Sequence, residues 1–101
     1  MTFGLNPEEL KLLMDLVIKP LKSYGASVWI FGSRARGNFK PFSDIDLLYS
    51  LDNDHQLPQG ALFQIKDAIE ESRLPYKVDI VSESELAASY RDNVLSERVL
   101  I

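Results

Sequence analysis

The chain has 101 residues, no cysteine, 46% hydrophobic and 26% charged residues and a formal net charge of -4, the profile of one small globular domain rather than of a disordered or fibrous chain. The missing cysteines exclude a disulfide framework, a thiolate zinc site and a thiol nucleophile, and a lone His55 cannot assemble a histidine-rich metal centre, so oxygen-ligand chemistry with hard cations stays open. The longest apolar run, Val28 to Phe31, is far shorter than the about 20 residues that span a bilayer, and the acidic balance disfavours direct binding of nucleic acid, so a cytoplasmic protein without membrane contact is expected.

Asn6 is positioned to cap a helix with Pro7 at its first position and Glu8 and Glu9 in its first turn, where carboxylates suit the free amides. Leu10, Leu13, Met14, Val17, Ile18 and Leu21 continue it as one apolar stripe. Pro20 falls inside the stripe and predicts a loosened last turn, with Gly25 as the stop. Ala26 to Phe31 is β-rich without alternation and predicts a central strand, in which Trp29 fills the core; it ends at Gly32-Ser33. After a loop or short helix, Asp44 to Leu51 predicts a second strand, with Asp44 and Asp46 on one face and Ile45 and Leu47 on the other.

Asp52 to Pro58 is a turn-rich connection, and Asp52, Asp54 and His55 are expected to be loop residues without a metal or catalytic role. Gly60 to Arg73 carries Leu62, Ile65 and Ile69 at helical spacing before Pro75 ends the pattern. Tyr76 to Val81 predicts a third strand, with Asp79 facing away from Val78 and Ile80. Ser82 and Glu85 suggest a capping box for a last helix bearing Leu86, Tyr90 and Val94. The apolar end, Val99 to Ile101, needs burial on its own sheet or on a partner. An order near αβαβαβα results, an α/β (α+β) chain with a sheet covered by helices in a single domain, 1-101, whose strand order and direction the alternation does not fix.

Two halves of one stretch suggest linked chemistry. Glycine straight after a strand lets backbone approach a bulky anion, and a following helical turn aims amides and the Ser33 hydroxyl at phosphates. After ten intervening residues, the Asp44-Ile45-Asp46 run projects two carboxylates from one strand face, where they suit magnesium, which takes one or two carboxylates and completes its shell with water and phosphate oxygens. Asp79 supplies a third carboxylate from a neighbouring strand, and three such charges together are costly unless cations neutralise them.

Gly32-Ser33, ten residues, Asp44-x-Asp46 and the later Asp79 resemble the signature of the DNA polymerase beta-like nucleotidyltransferases, and the short chain resembles their minimal branch, which implies a small mixed β-sheet flanked by helices. The resemblance implies that Gly32 and Ser33 hold the triphosphate of ATP, with Arg34, Arg36 and Lys40 as lesser phosphate neutralisers, while Asp44, Asp46 and Asp79 are the catalytic and metal-binding carboxylates for two Mg²⁺ ions. It further implies transfer of AMP to a hydroxyl, a tyrosine of a helical HEPN-type partner, with this chain as the antitoxin of a toxin-antitoxin pair and part of a homo- or hetero-oligomer. The alternatives are transfer to a small molecule or an RNA end, or a non-catalytic nucleotide-binding module.

Overall fold

A computed structural model describes residues 2-52 and 54-101, with the side chain of Tyr90 left out. The elements follow as α1 (Pro7–Leu13), a π-helical turn (Met14–Ile18), α2 (Lys19–Ser23), β1 (Ala26–Phe31), α3 (Ser33–Arg36), β2 (Ile45–Leu51), α4 (Ala61–Glu70), β3 (Val78–Ser82), a 3₁₀ turn (Glu83–Glu85), α5 (Ala88–Glu97) and β4 (Val99–Leu100). One four-stranded sheet runs β3-β2-β1-β4. Its β1–β2 and β1–β4 pairs are antiparallel and its β2–β3 pair parallel, the mixed sheet expected.

The opening helix begins on a full capping box: the Asn6 side chain accepts from the Glu9 amide at 2.8 Å and the Glu9 carboxylate accepts from the Asn6 amide at 2.9 Å. Pro20 does not end it. The wider π turn sits immediately before, with the Lys19 amide donating to the Met14 carbonyl five residues back, so Pro20 falls in the first turn of α2, where its missing N–H removes no bond. The loosening therefore comes one turn earlier than the proline itself.

Val28, Ile30, Ile45, Leu47, Tyr49 and Ile80 line one sheet face and join Leu13, Val17, Ile18 and Leu21 of the opening helices and Ile65 and Ile69 of α4 in a single core. On the other face, Leu48 is fully buried and α5 buries Val94. Trp29 lies on that second face, half-buried beneath the Arg98 guanidinium at 4.0 Å, rather than in the main core. β4 closes the free edge of β1, with Trp29 opposite Leu100 and Ile30 opposite Val99, and the Ile101 amide donates to the Val28 carbonyl at 3.0 Å. The apolar end thus packs in part on its own sheet, one of the two expected solutions: Val99 and Ile101 lie against the core, while Leu100 stays 66% exposed.

Other boundaries depart from the sequence reading. Ser82 and Glu85 do not cap a helix: Ser82 shares a hydrogen bond with the Ser84 hydroxyl, the 3₁₀ turn intervenes, Leu86 is extended, and α5 starts only at Ala88. α4 stops at Glu70, before Pro75, because the Ser72 hydroxyl bonds to the Ile69 carbonyl at 2.6 Å and accepts from the Leu74 amide. Asp44 precedes β2, whose first residue, Ile45, donates to the Lys77 carbonyl. Among the described residues, no helix is long and apolar enough to cross a membrane.

Asn6→Ala removes one half of the capping box on an exposed helix start and is expected to cost about 1 kcal/mol, read as a lower urea midpoint at unchanged slope.

Candidate functional site

The site is built where β1 ends. Strand register sets Phe31 of β1 opposite Asp46 of β2, and Asp46 in turn opposite Asp79 of β3, so the two carboxylates are direct neighbours across the parallel pair. Successive side chains alternate, so this row shares the face opposite the main core. Asp46 and Asp79 are half-buried there, and Asp44 is exposed just before β2 begins.

Gly32 follows directly with φ +77°, a conformation that side chains resist, and a Cβ placed on it would overlap Oδ2 of Asp46. Both the torsion and the close approach demand glycine. The chain then makes the one-turn helix α3 and leaves it through Gly37 at φ +85°, whose amide returns to the Ser33 carbonyl at 2.9 Å. Gly32 thus lies directly against the Asp46 carboxylate, and Ser33 opens the turn that follows. The two halves of the sequence motif therefore meet in space.

Electrostatics mark Asp46 in particular. Burial first, then the like charges of Asp79 and Asp44, push its carboxyl up to about 6 from an ordinary 3.8, only partly offset by Arg36. Among the described residues, no group of three or more acids or histidines is gathered so as to hold a metal ion by itself. The register-paired carboxylates of Asp46 and Asp79 suit a hard cation that takes one or two carboxylates and finds its remaining ligands in water and a phosphorylated substrate, the habit of magnesium. Lys77 Nζ lies 3.6 Å from Asp79 Oδ1, a largely exposed pair that leaves this carboxylate accessible.

The two arginines of α3 separate sharply. Arg34 is only 2% exposed and faces inward: Nε and Nη2 donate to the Ser43 carbonyl at 3.0 and 2.9 Å, and Nη1 donates to the Phe3 carbonyl at 2.9 Å. The rings of Tyr76 and Phe39 lie against the guanidinium at 4.4 and 5.2 Å. The expectation that Arg34 neutralises substrate phosphate is therefore corrected, since its donors are committed to two backbone carbonyls. It instead ties the N-terminal loop to the residue just before Asp44. Arg36, by contrast, is nearly half exposed and reaches the site rim, and Lys40 is exposed in the following loop.

Glu97, at the end of α5, also belongs to this neighbourhood and escaped the sequence reading. Its Oε2 accepts from Arg36 Nη1 at 2.9 Å and its Oε1 from the Gly32 amide at 3.2 Å. Sixty-five residues separate Gly32 from Glu97, and no local pattern links them. Asp52, Asp54 and His55 remain in their loop, away from the site: the Asp54 amide and the His55 ring both turn to the Asp52 carboxylate. A cleft of ≈ 480 Å³ opens beside the carboxylate row, lined by Phe31, Asp46, Asp79, Val81, Leu86 and Val94 among others.

Comparison with known proteins gives this geometry a context. The sequence family described as Polymerase beta, Nucleotidyltransferase matches residues 17–101. The chain is 30% identical over 97 residues to the Probable protein adenylyltransferase MntA of Haemophilus influenzae, covering 96% of this chain and 82% of that protein. A structure solved as a minimal nucleotidyltransferase superposes with a TM-score of 0.70 at 34% identity, covering 96% of this chain and 97% of the other. A nucleotidyltransferase structure from Sulfolobus solfataricus gives 0.52 at 25% identity, covering 92% and 78%. A toxin-antitoxin crystal structure with AMP-PNP shares the fold at a TM-score of 0.63 and 21% identity, covering 85% and 69%.

Arg34→Ala would leave two buried carbonyls without donors and is expected to cost about 3 kcal/mol, whereas Arg36→Ala should stay within about 0.5 kcal/mol; urea unfolding of the two variants separates them. For Asp46, the folded-state pKa lies above the unfolded one, so the folded chain holds the proton more tightly and the charged form is penalised above about pH 6. Metal-free Asp46→Asn should therefore be more stable than the parent at pH 7.5, by on the order of 1 kcal/mol after solvent screening, with the difference vanishing near pH 4. Thermal unfolding across that range checks the sign.

Proposed function

The chain belongs to the polymerase beta nucleotidyltransferase family, and on that premise we propose that it is a magnesium-dependent enzyme moving AMP from ATP onto a tyrosine hydroxyl of a helical HEPN-type partner, as the antitoxin of a toxin-antitoxin pair. That it is a nucleotidyltransferase follows from the family; the nucleotide, the acceptor and the partner are the proposal. The observation that carries it is the abutment of Gly32 on Asp46, with Asp79 next in register, which puts a backbone cradle for phosphate beside acidic oxygens suited to magnesium. Similarity to a protein named as an adenylyltransferase supports AMP as the group moved and protein as the acceptor. A toxin-antitoxin complex with AMP-PNP shares the fold, which is compatible with a paired protein.

In this reading the Gly32 amide and the Ser33 hydroxyl bind the β- and γ-phosphates, and Arg36 neutralises charge at the rim. Asp44, Asp46 and Asp79 would hold the magnesium, which supplies charge neutralisation for the triphosphate and the departing pyrophosphate. The acceptor oxygen forms a bond to the α-phosphorus as the bond to the bridging oxygen of pyrophosphate breaks, and the hydroxyl proton passes to a carboxylate oxygen of Asp79. The positions of Asp46 and Asp79 on adjacent strands orient both groups rigidly, so little ordering remains for the reacting state.

The test is transfer from α-labelled ATP with Mg²⁺, with and without the helical protein encoded beside this chain. Label entering that protein is expected, with a loss on the order of 10³-fold in Asp44→Ala and Asp46→Asn. Label entering a small molecule or RNA instead would redirect the acceptor. Partner neutralisation that persists unchanged in both variants would replace the enzyme with a contact-only module.

A further inference from the structure

Two of the donors assigned above to substrate phosphate, the Gly32 amide and the Arg36 guanidinium, are already engaged. Glu97 presents one carboxylate oxygen to the Gly32 amide and the other to the Arg36 guanidinium, at 3.2 and 2.9 Å. A carboxylate that spans a backbone amide and one guanidinium N–H uses the kind of donors that bind a phosphate group. The side chain is only 21% exposed although it ends a surface helix. It also adds a fourth negative charge beside Asp44, Asp46 and Asp79, an arrangement repulsive in itself and offset here by those two donors.

We propose that Glu97 is a resident anion in the phosphate cradle, displaced by the triphosphate, and so sets the affinity of the chain for nucleoside triphosphates. The inference rests on the reading of Gly32 and Arg36 as phosphate donors. Displacement is local. Among its described residues α5 buries only Val94, and a glutamate has three rotatable bonds with which to leave while the helix stays in place. The substrate must then bring enough negative charge, neutralised by magnesium, to take over both donors. A second possibility, that Glu97 holds Arg36 ready for the phosphate, requires the opposite sign: removing it would weaken binding.

Calorimetric titration of the full chain with Mg-ATP and with magnesium tripolyphosphate decides the sign, using the parent, Glu97→Gln and Glu97→Ala. Gln keeps the size of the side chain and an acceptor, so it serves even where Ala perturbs folding. About tenfold tighter binding of both probes is expected in the variants, with the gain absent when Arg36→Gln is added to Glu97→Gln. Unchanged or weaker binding in Glu97→Gln, with a parent that binds normally, overturns the displacement. Failure of parent and variants alike to bind either probe overturns the phosphate cradle itself, and with it the role of Glu97.

Discussion

The approach of Gly32 to the Asp46 carboxylate is the constraint on which the remaining site geometry depends. It exists because β1 and β2 pair antiparallel with Phe31 opposite Asp46, so the residue after β1 must pass directly over that side chain. Only a residue without a Cβ and with a positive φ can do so. The one-turn helix α3 and the return through Gly37 then keep the following residues at the same strand end. Moving the register by one residue would turn Asp46 into the apolar core and Ile45 outward, so the site and the core are specified together.

The core and the site divide the sheet between them. One face is filled by aliphatic side chains against the opening helices and α4, and it supplies the rigidity. The other face carries the row Phe31, Asp46, Asp79 and is covered less completely by α5. Partial cover has an electrostatic consequence: Asp46 is withdrawn far enough from water to raise its pKa, while remaining open enough to meet a cation and a substrate. A site of this kind is costly to the empty chain and is relieved by what it binds.

Arg34 shows how a small chain secures such a site. Among the described residues no carboxylate pairs with its buried guanidinium; backbone carbonyls of Phe3 and Ser43 and the faces of Tyr76 and Phe39 satisfy it instead. Three separate stretches of chain thereby meet at one planar group, and the residue it grips, Ser43, immediately precedes Asp44. A lysine could not replace this forked donation. Arg36, two positions on and facing out, pairs with Glu97 at the rim of the site instead. Neighbouring cations of one motif thus divide into a structural residue and a surface one.

Much of this was legible in the chain itself. The capped opening helix, the span of β1, the alternation of Ile45 and Leu47 against Asp46 and the Gly-Ser and Asp-x-Asp spacing follow from local periodicity and residue type, and the mixed sheet from the family resemblance that those residues carry. Local patterns end where long-range contacts decide. The direction in which Arg34 points, the place of Trp29 on the second face, the late start of α5 and the return of Val99 to the edge of β1 depend on what packs nearby in space. Glu97 is the clearest instance, because its two partners lie more than sixty residues upstream and only the folded sheet brings them together. The sequence by itself determined which groups could bind phosphate and cation, since that depends on residue type and near spacing; tertiary structure alone decided which of them face the site, because burial and hydrogen bonding are settled by neighbours remote in the chain.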